Sequence, residues 1–162
     1  AGLEHLRPLV LRDVATDILM PEGNIARATP DSAASADIAK GREVLDALGP
    51  FDIGQAVVVI DGHVVAVEDI EGTDGLLARV ARLREAGRIR AKSGRGVLVK
   101  APKRGQDLRF DLPAMGVRTI EGVADAGLAG IAVIAGHTIA ADSQAMIEAA
   151  DKAGLFIQGL LA

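Results

Sequence analysis

The chain contains no cysteine, tryptophan or tyrosine, and its three aromatic residues are Phe51, Phe110 and Phe156. Without cysteine there is no disulfide framework, no thiolate nucleophile and no Cys-ligated zinc, a usage that suits a reducing compartment. Three phenylalanines cannot build the base-stacking platform of single-stranded nucleic-acid binders. Long apolar runs are missing too: stretches such as residues 56–60 fall far short of the roughly 20 residues needed to cross a bilayer. The first residues, Ala-Gly-Leu-Glu-His-Leu-Arg-Pro, have neither a starting Met nor a charged region followed by an apolar one. They read as part of a longer chain, not as a signal peptide.

What is present describes one soluble domain. The chain has 162 residues, 49% of them hydrophobic, with 19 glycines, and that length suffices for a real core. Charge is uneven. Eight of the 18 basic residues lie between Arg88 and Arg109 with one acid, Asp107, so this segment carries +7 and the rest −11. Such asymmetry points to a local anionic partner on an otherwise acidic protein and argues against a general nucleic-acid surface.

Local patterns predict an alternation of strands and helices. Residues 10–19 read as an extended segment ended by the loop 20–24. Asp31 or Ser32 caps a helix to Leu48, with Ala34, Ile38, Gly41, Leu45 and Leu48 on one stripe and Gly49-Pro50 as its stop. Residues 55–60 and 64–69 are Val-rich runs joined by Asp61-Gly62, a strong hairpin signal. Their unbroken apolarity predicts a sheet covered on both faces. Thr73 is placed to cap a helix with Leu76, Leu77, Val80 and Leu83 inward and Arg79, Arg82 and Glu85 outward. Residues 93–96 then read as a loop, 97–99 as a strand and 100–113 as a polar loop. Thr119 caps a helix through Ala126, with Gly127 as its left-handed stop. Residues 130–134 and 137–140 follow as strands around the turn Ala135-Gly136. A helix over 142–153, stopped by Gly154, and a strand over 155–158 complete the chain. The fold class expected is α/β: a mixed β-sheet with at least one β-hairpin and helices packed on the sheet.

Two segments concentrate chemistry. Lys100 to Pro113 brings cations beside carboxylates, and phosphoryl transfer uses both: the cations offset phosphate charge, while the carboxylates hold a divalent metal or orient a water. In extended chain Asp107, Arg109 and Asp111 share one side, because side chains alternate with period two. The bland reading is a solvated loop. Glu71-Gly72-Thr73-Asp74 sits at a strand-to-helix junction, where free N–H groups suit a phosphate and the acids suit a metal; a plain helix cap is the alternative. Glu68, late in its strand, is either half exposed or a buried partner for a cation of the basic loop. His5, His63 and His137 have no ligand spacing and read as solvated residues, so zinc is not expected. Gly94-x-Gly96 precedes its strand, the wrong order for a dinucleotide fingerprint.

Taken in order, the strings Ile53-Gly-Gln-Ala-Val-Val-Val, Val65-Ala-Val-Glu, Glu71-Gly-Thr-Asp, Gly96-Val-Leu-Val-Lys-Ala-Pro-Lys, Gln106-Asp-x-Arg-x-Asp-Leu-Pro, Gly116-x-x-Thr-Ile, Ala126-Gly-Leu-Ala-Gly-Ile, Ala135-Gly and Ala150-Asp-x-x-Gly-Leu-Phe resemble a known family. It is the bacterial UDP-2,3-diacylglucosamine pyrophosphatase of alphaproteobacteria and some other Gram-negatives, specifically its C-terminal domain. The resemblance runs from about Val10 to Gly159 and departs at Lys103-Arg104-Gly105, where a Lys-Pro string is more usual.

The resemblance implies a magnesium-dependent hydrolase of the lipid A pathway. In that reaction water attacks the α-phosphate of UDP-2,3-diacylglucosamine and releases UMP and 2,3-diacylglucosamine 1-phosphate (lipid X). It further implies a catalytic Asp111, which orients or deprotonates the attacking water or holds the metal that does; the chemistry of the loop adds Asp107 beside it as a second catalytic carboxylate and magnesium ligand. Glu71, Gly72, Thr73, Asp74, Lys100, Lys103, Gln106 and Arg109 are then the substrate-binding residues. Residues 1–11 would be a stub or linker from a missing N-terminal domain and 12–162 the C-terminal catalytic domain. The expected partners are the UDP-linked acylated sugar, the N-terminal domain of the same parent chain and, transiently, the inner-membrane surface; nucleic acid is not among them. Such an enzyme is cytoplasmic or peripheral at the inner membrane, and a homodimer stays open. Two other function classes stay open as well: a non-catalytic anion-binding module, which needs no Asp111, and a structural or oligomerisation domain, which ignores the basic loop.

Overall fold

A computed structural model describes residues 16–103 and 112–162. Within them lie β1 (Gly23–Asn24), α1 (Ser32–Leu48), β2 (Ala56–Ile60), β3 (His63–Val67), α2 (Gly72–Glu85), β4 (Val97–Lys100), β5 (Ala114–Met115), α3 (Val117–Asp125), β6 (Gly130–Ile134), β7 (Ile139–Ala140), α4 (Ser143–Ala153) and β8 (Phe156–Leu160). Six strands form one mixed sheet in the order β1-β8-β6-β4-β2-β3, and β5 pairs with β7 separately. β4, β6 and β8 are parallel to one another, while β2 is antiparallel to both β3 and β4. Strands β3, β4, β6 and β8 therefore share a direction and end on one edge of the sheet.

The links β3-α2-β4, β4-α3-β6 and β6-α4-β8 all advance the same way across the sheet. With a common crossover hand they put α2, α3 and α4 on one face. Leu76, Leu77, Ile120, Val123, Met146 and Ala150 of these helices form one core with Val58, Leu98, Ile131 and Ile157. The other face belongs to α1, whose Ala34, Ile38 and Leu45 pack on Val57, Val59, Val97, Val99 and Phe156. Both faces are covered as expected, and β2, β4 and β6 are buried along their whole length. Edge strand β3 is only partly buried. No helix among the described residues is long and apolar enough to cross a membrane.

The hairpin forms as predicted, with Asp61 (φ 47°) and Gly62 (φ 77°) both in the left-handed region that a two-residue turn of this hand requires. A contact from outside the hairpin locks it. Asp37 on α1 is 2% exposed, and its carboxylate accepts the backbone N–H groups of Asp61 at 3.0 Å and Gly62 at 2.7 Å. Asp37→Ala would leave two turn donors without their acceptor, and a loss of about 2 kcal/mol is expected. Denaturant unfolding checks this; a loss below about 0.5 kcal/mol would mean that water replaces the carboxylate.

Several local expectations yield to tertiary contacts. Residues 16–18 form a one-turn 3-10 helix instead of extended chain, and Gly23–Asn24 leave the expected loop to pair with β8. Gly49 is right-handed; the chain continues through a short 3-10 turn, and the left-handed residue is Asp52. Thr73 and Thr119 are not caps. The flanking residues are Glu71 and Gly116, and Thr119 is buried inside α3. Residues 137–138 stay outside the strand expected over 137–140, whereas β8 runs on to Leu160.

Candidate functional site

Ligands of open α/β sheets gather outside the carboxyl ends of the strands. On this edge Ala56 of β2 lies between two charged neighbours. It pairs with Lys100 at the end of β4, and its carbonyl accepts the Glu68 N–H at 2.8 Å just past β3. Lys100 and Glu68 are both 8% exposed. Lys100 thus belongs to a buried strand end, not to the polar loop predicted over 100–113, and Glu68 is buried as one alternative had it, but its carboxylate is bonded to Thr73 and not to a cation of the basic loop. Burial pushes the Lys100 ammonium below its ordinary value, while the negative charges of Glu68 and Asp74 oppose that fall.

The chain turns through Gly72 (φ 73°) into α2. Thr73 is the second residue inside α2 and not its cap; its Oγ1 donates to Glu68 Oε2 at 2.9 Å. Glu71 makes no cap bond either; its carboxylate accepts from Arg79 Nη2 at 2.5 Å, and the same nitrogen donates to the Val67 carbonyl at 2.7 Å. Helix α3 starts behind Gly116, which has no side chain to offer. By contrast α1 and α4 are capped by the side chains of Asp31 and Asp142. The two uncapped amino ends, α2 and α3, converge on one cavity of about 580 Å³, lined among others by Gly72, Thr73, Lys100, Ala114, Gly116 and Arg118. Lys100 Nζ donates to the Ala114 carbonyl at 3.2 Å across it. At its mouth Arg118 Nη2 meets Asp74 Oδ2 at 3.2 Å. Two positive helix-dipole ends and two cations, Lys100 and Arg118, line this cavity beside the carboxylates of Glu71 and Asp74.

The structure thus brings Glu71, Gly72, Thr73, Asp74 and Lys100 to one place although 25 residues lie between Asp74 and Lys100. Lys103 forms an ion pair with Asp52 at 3.3 Å and is not in the cavity wall. Gln106, Asp107, Arg109 and Asp111 lie outside the described residues. The basic run is not one patch. Strand β4 passes through the sheet, so Arg95 sits on the opposite edge and pairs with Asp31 and Asp61, while Lys100 sits on this one. Arg118 was not anticipated. A cation in the first turn of a helix opposes the dipole, and that anomaly in Gly116-Val-Arg118 was the available signal.

Among the described residues no group of three His, Asp or Glu side chains can hold a metal ion. The carboxylates around the cavity already have partners: Thr73 for Glu68, Arg79 for Glu71 and Arg118 for Asp74. They do not fit a magnesium shell. A second cavity of about 300 Å³ opens on the opposite edge, beside Thr29, Asp31 and Ser93, all of them exposed.

The UDP-2,3-diacylglucosamine pyrophosphatase LpxI of Caulobacter vibrioides is 47% identical over 148 residues, which cover 91% of this chain and 53% of that protein. The chain spans about half the length of the curated relative it matches. A family model described as LpxI C-terminal domain matches residues 21–158. With that match over most of its length, the chain belongs to the LpxI C-terminal domain family.

Proposed function

We propose that this chain is the catalytic half of an enzyme that hydrolyses UDP-2,3-diacylglucosamine to UMP and 2,3-diacylglucosamine 1-phosphate. The observation that carries the reading is the cavity where Lys100, Arg118 and the uncapped ends of α2 and α3 meet. A diphosphate is the group such a cavity fits, because backbone N–H groups and cations both favour its charge.

In the reaction a water oxygen bonds to the α-phosphorus, the bond from that phosphorus to the bridging oxygen breaks, and the bridging oxygen leaves with the sugar phosphate. Lys100 and the helix ends offset the charge that develops on the phosphoryl oxygens. Asp111 is proposed to orient or deprotonate the water, with Asp107, Gln106, Arg109 and Lys103 completing the site from the loop that follows Lys100. Magnesium would be held by Asp107 and Asp111, since the described carboxylates around the cavity are engaged elsewhere; a divalent ion there would supply charge stabilisation.

The proposal extends to the parent protein. Its relative is nearly twice as long, so an N-terminal domain is proposed to close over the cavity and bind uridine. A cytoplasmic enzyme that touches the inner membrane transiently suits an acylated substrate, and a homodimer is compatible with it. The isolated chain should hydrolyse the substrate far more slowly than the parent, because an open half-site leaves the diphosphate in water, where each electrostatic contact is weak.

The test is UMP release by the parent and by this chain, with magnesium and with a chelator, alongside substrate affinity at rising ionic strength. The parent is expected to turn over only with magnesium and to bind more weakly as salt rises. Salt-dependent binding with no UMP release from the parent would favour the anion-binding module instead. Full activity of the isolated chain would overturn the two-domain reading.

A further inference from the structure

We propose that the apolar side chains standing out on the cavity's edge of the sheet, above all Phe51 and Ile70, dip into the surface of a lipid bilayer. An acylated substrate is then met with its diphosphate at the cavity and its chains still in hydrocarbon. The identity of that substrate rests on the reading above; the apolar edge is observed independently of it.

Among the described residues five large apolar side chains are exposed: Ile18, Phe51, Ile53, Ile70 and Leu161. Single exposures are ordinary, and their distribution is what carries meaning. Phe51 and Ile53 lie between α1 and β2, and β2 starts on the cavity's edge because it runs antiparallel to β4. Ile70 follows the end of β3 there, and its loop touches theirs: a Cβ on Gly54 would lie 2.2 Å from the Glu68 carbonyl oxygen. Leu161 follows the end of β8. Ile18 precedes Leu19, which bridges Ile139 of β7, the partner of β5 in the cavity wall. All five therefore belong to the edge that carries the cavity. The opposite edge, with the Asp61-Gly62 turn, exposes none among the described residues.

Shape and charge select the occupant. Phe51 is 72% exposed and Ile70 101%, so both are tips standing clear of the surface. Each tip is fixed by bonds of its own turn: the Asp52 N–H to the Gly49 carbonyl at 3.1 Å, and the Gly72 N–H to the Asp69 carbonyl at 3.3 Å. Apolar side chains held out in water by rigid turns suit insertion among lipid headgroups, whereas surfaces between domains of one chain are more polar. The substrate of the proposed reaction carries two acyl chains, which anchor a lipid in a bilayer, so the enzyme must bring its cavity to that surface. The groups beside the tips are Asp52, Asp69 and Lys103, and Lys103 is paired with Asp52. These acids give no attraction to anionic lipid. The contact is apolar, weak and reversible, in contrast with the cavity, whose Lys100 and Arg118 attract charge.

The test is co-sedimentation of the full-length parent with vesicles of phosphatidylcholine alone and of phosphatidylcholine with phosphatidylglycerol, at low and high salt. Pyrophosphate affinity and melting temperature are measured on the same proteins. The wild type is expected to bind both vesicles and to keep that binding at high salt. Phe51→Ser with Ile70→Ser should bind vesicles roughly tenfold more weakly, with pyrophosphate affinity and melting temperature unchanged, and Ile70→Leu should bind them like the wild type. Vesicle binding equal to wild type in the double serine variant would overturn the proposal, as would a parent that binds neither vesicle. Binding that needs phosphatidylglycerol and vanishes at high salt would overturn it too, because charge would then be the cause. If the serine variant instead slows hydrolysis of substrate dispersed in detergent while vesicle binding stays intact, the tips meet the other half of the parent and not a bilayer. Failure of the wild type to bind pyrophosphate would remove the diphosphate reading, and the vesicle comparison would still decide the role of Phe51 and Ile70.

Discussion

Asp111→Ala is expected to lower UMP release by the full-length parent by about 10³-fold or more while substrate binding is retained, a loss in the range that follows removal of a general acid–base group. Asp111 is joined through Leu112 and Pro113 to Ala114 in the cavity wall. Those links are firmly held: Leu112 is buried, the Pro113 carbonyl accepts the Ile139 N–H at 2.9 Å, and β5 pairs with β7 immediately after. Leu112, Pro113 and β5 are held by contacts of their own, so the variant is expected to fold and bind. Among the described residues every carboxylate near the cavity has a partner, which leaves the loop acids as the candidates for moving a proton. Steady-state UMP release and equilibrium binding on the purified variant check this. A turnover number near that of the wild type would remove Asp111 from the chemistry, and loss of binding with equal loss of turnover would make it a binding residue.

A large loss of stability is expected from Gly130→Ala. Gly130 opens β6 in the middle of the sheet and pairs with Phe156. A Cβ there would lie 2.5 Å from both the Phe156 carbonyl oxygen and the nearest ring carbon. A backbone atom of a neighbouring central strand cannot retreat without breaking the ladder, and Phe156 is packed beneath α1. Overpacking of this kind is expected to cost about 4 kcal/mol, or a fall in melting temperature of roughly 8–16 °C for a chain of this size. Thermal unfolding of the variant checks it; a fall under about 3 °C would mean that β6 and β8 slide apart more easily than a close-packed interior allows.

Much of the local architecture was legible because its causes lie within a few residues. Asp61-Gly62 specifies its turn through torsional preference alone. Asp31 caps α1 and Gly154 ends α4 through bonds to their own helices, and the Val-rich runs announce buried strands of an α/β sheet. The site was legible in part. Lys100 and Glu71–Asp74 carried a phosphate reading from residue type and from resemblance, and the cavity does gather them. Illegible were the burial of Lys100, the arrival of Arg118 and the clamp from Asp37. Each depends on a neighbour far away in sequence.

The sequence by itself determined the fold class, the hairpin and several helix ends, because torsion, capping and periodicity act over one or two turns of chain, and it showed the family through resemblance. Only the tertiary structure decided that β3 and β4 flank β2 and end on one edge, that α2 and α3 aim uncapped ends at the same cavity, and that β4 divides the basic run between opposite edges. Strand order and crossover hand set those distances, and both follow from burying two sheet faces at once, a condition that no short window of residues contains.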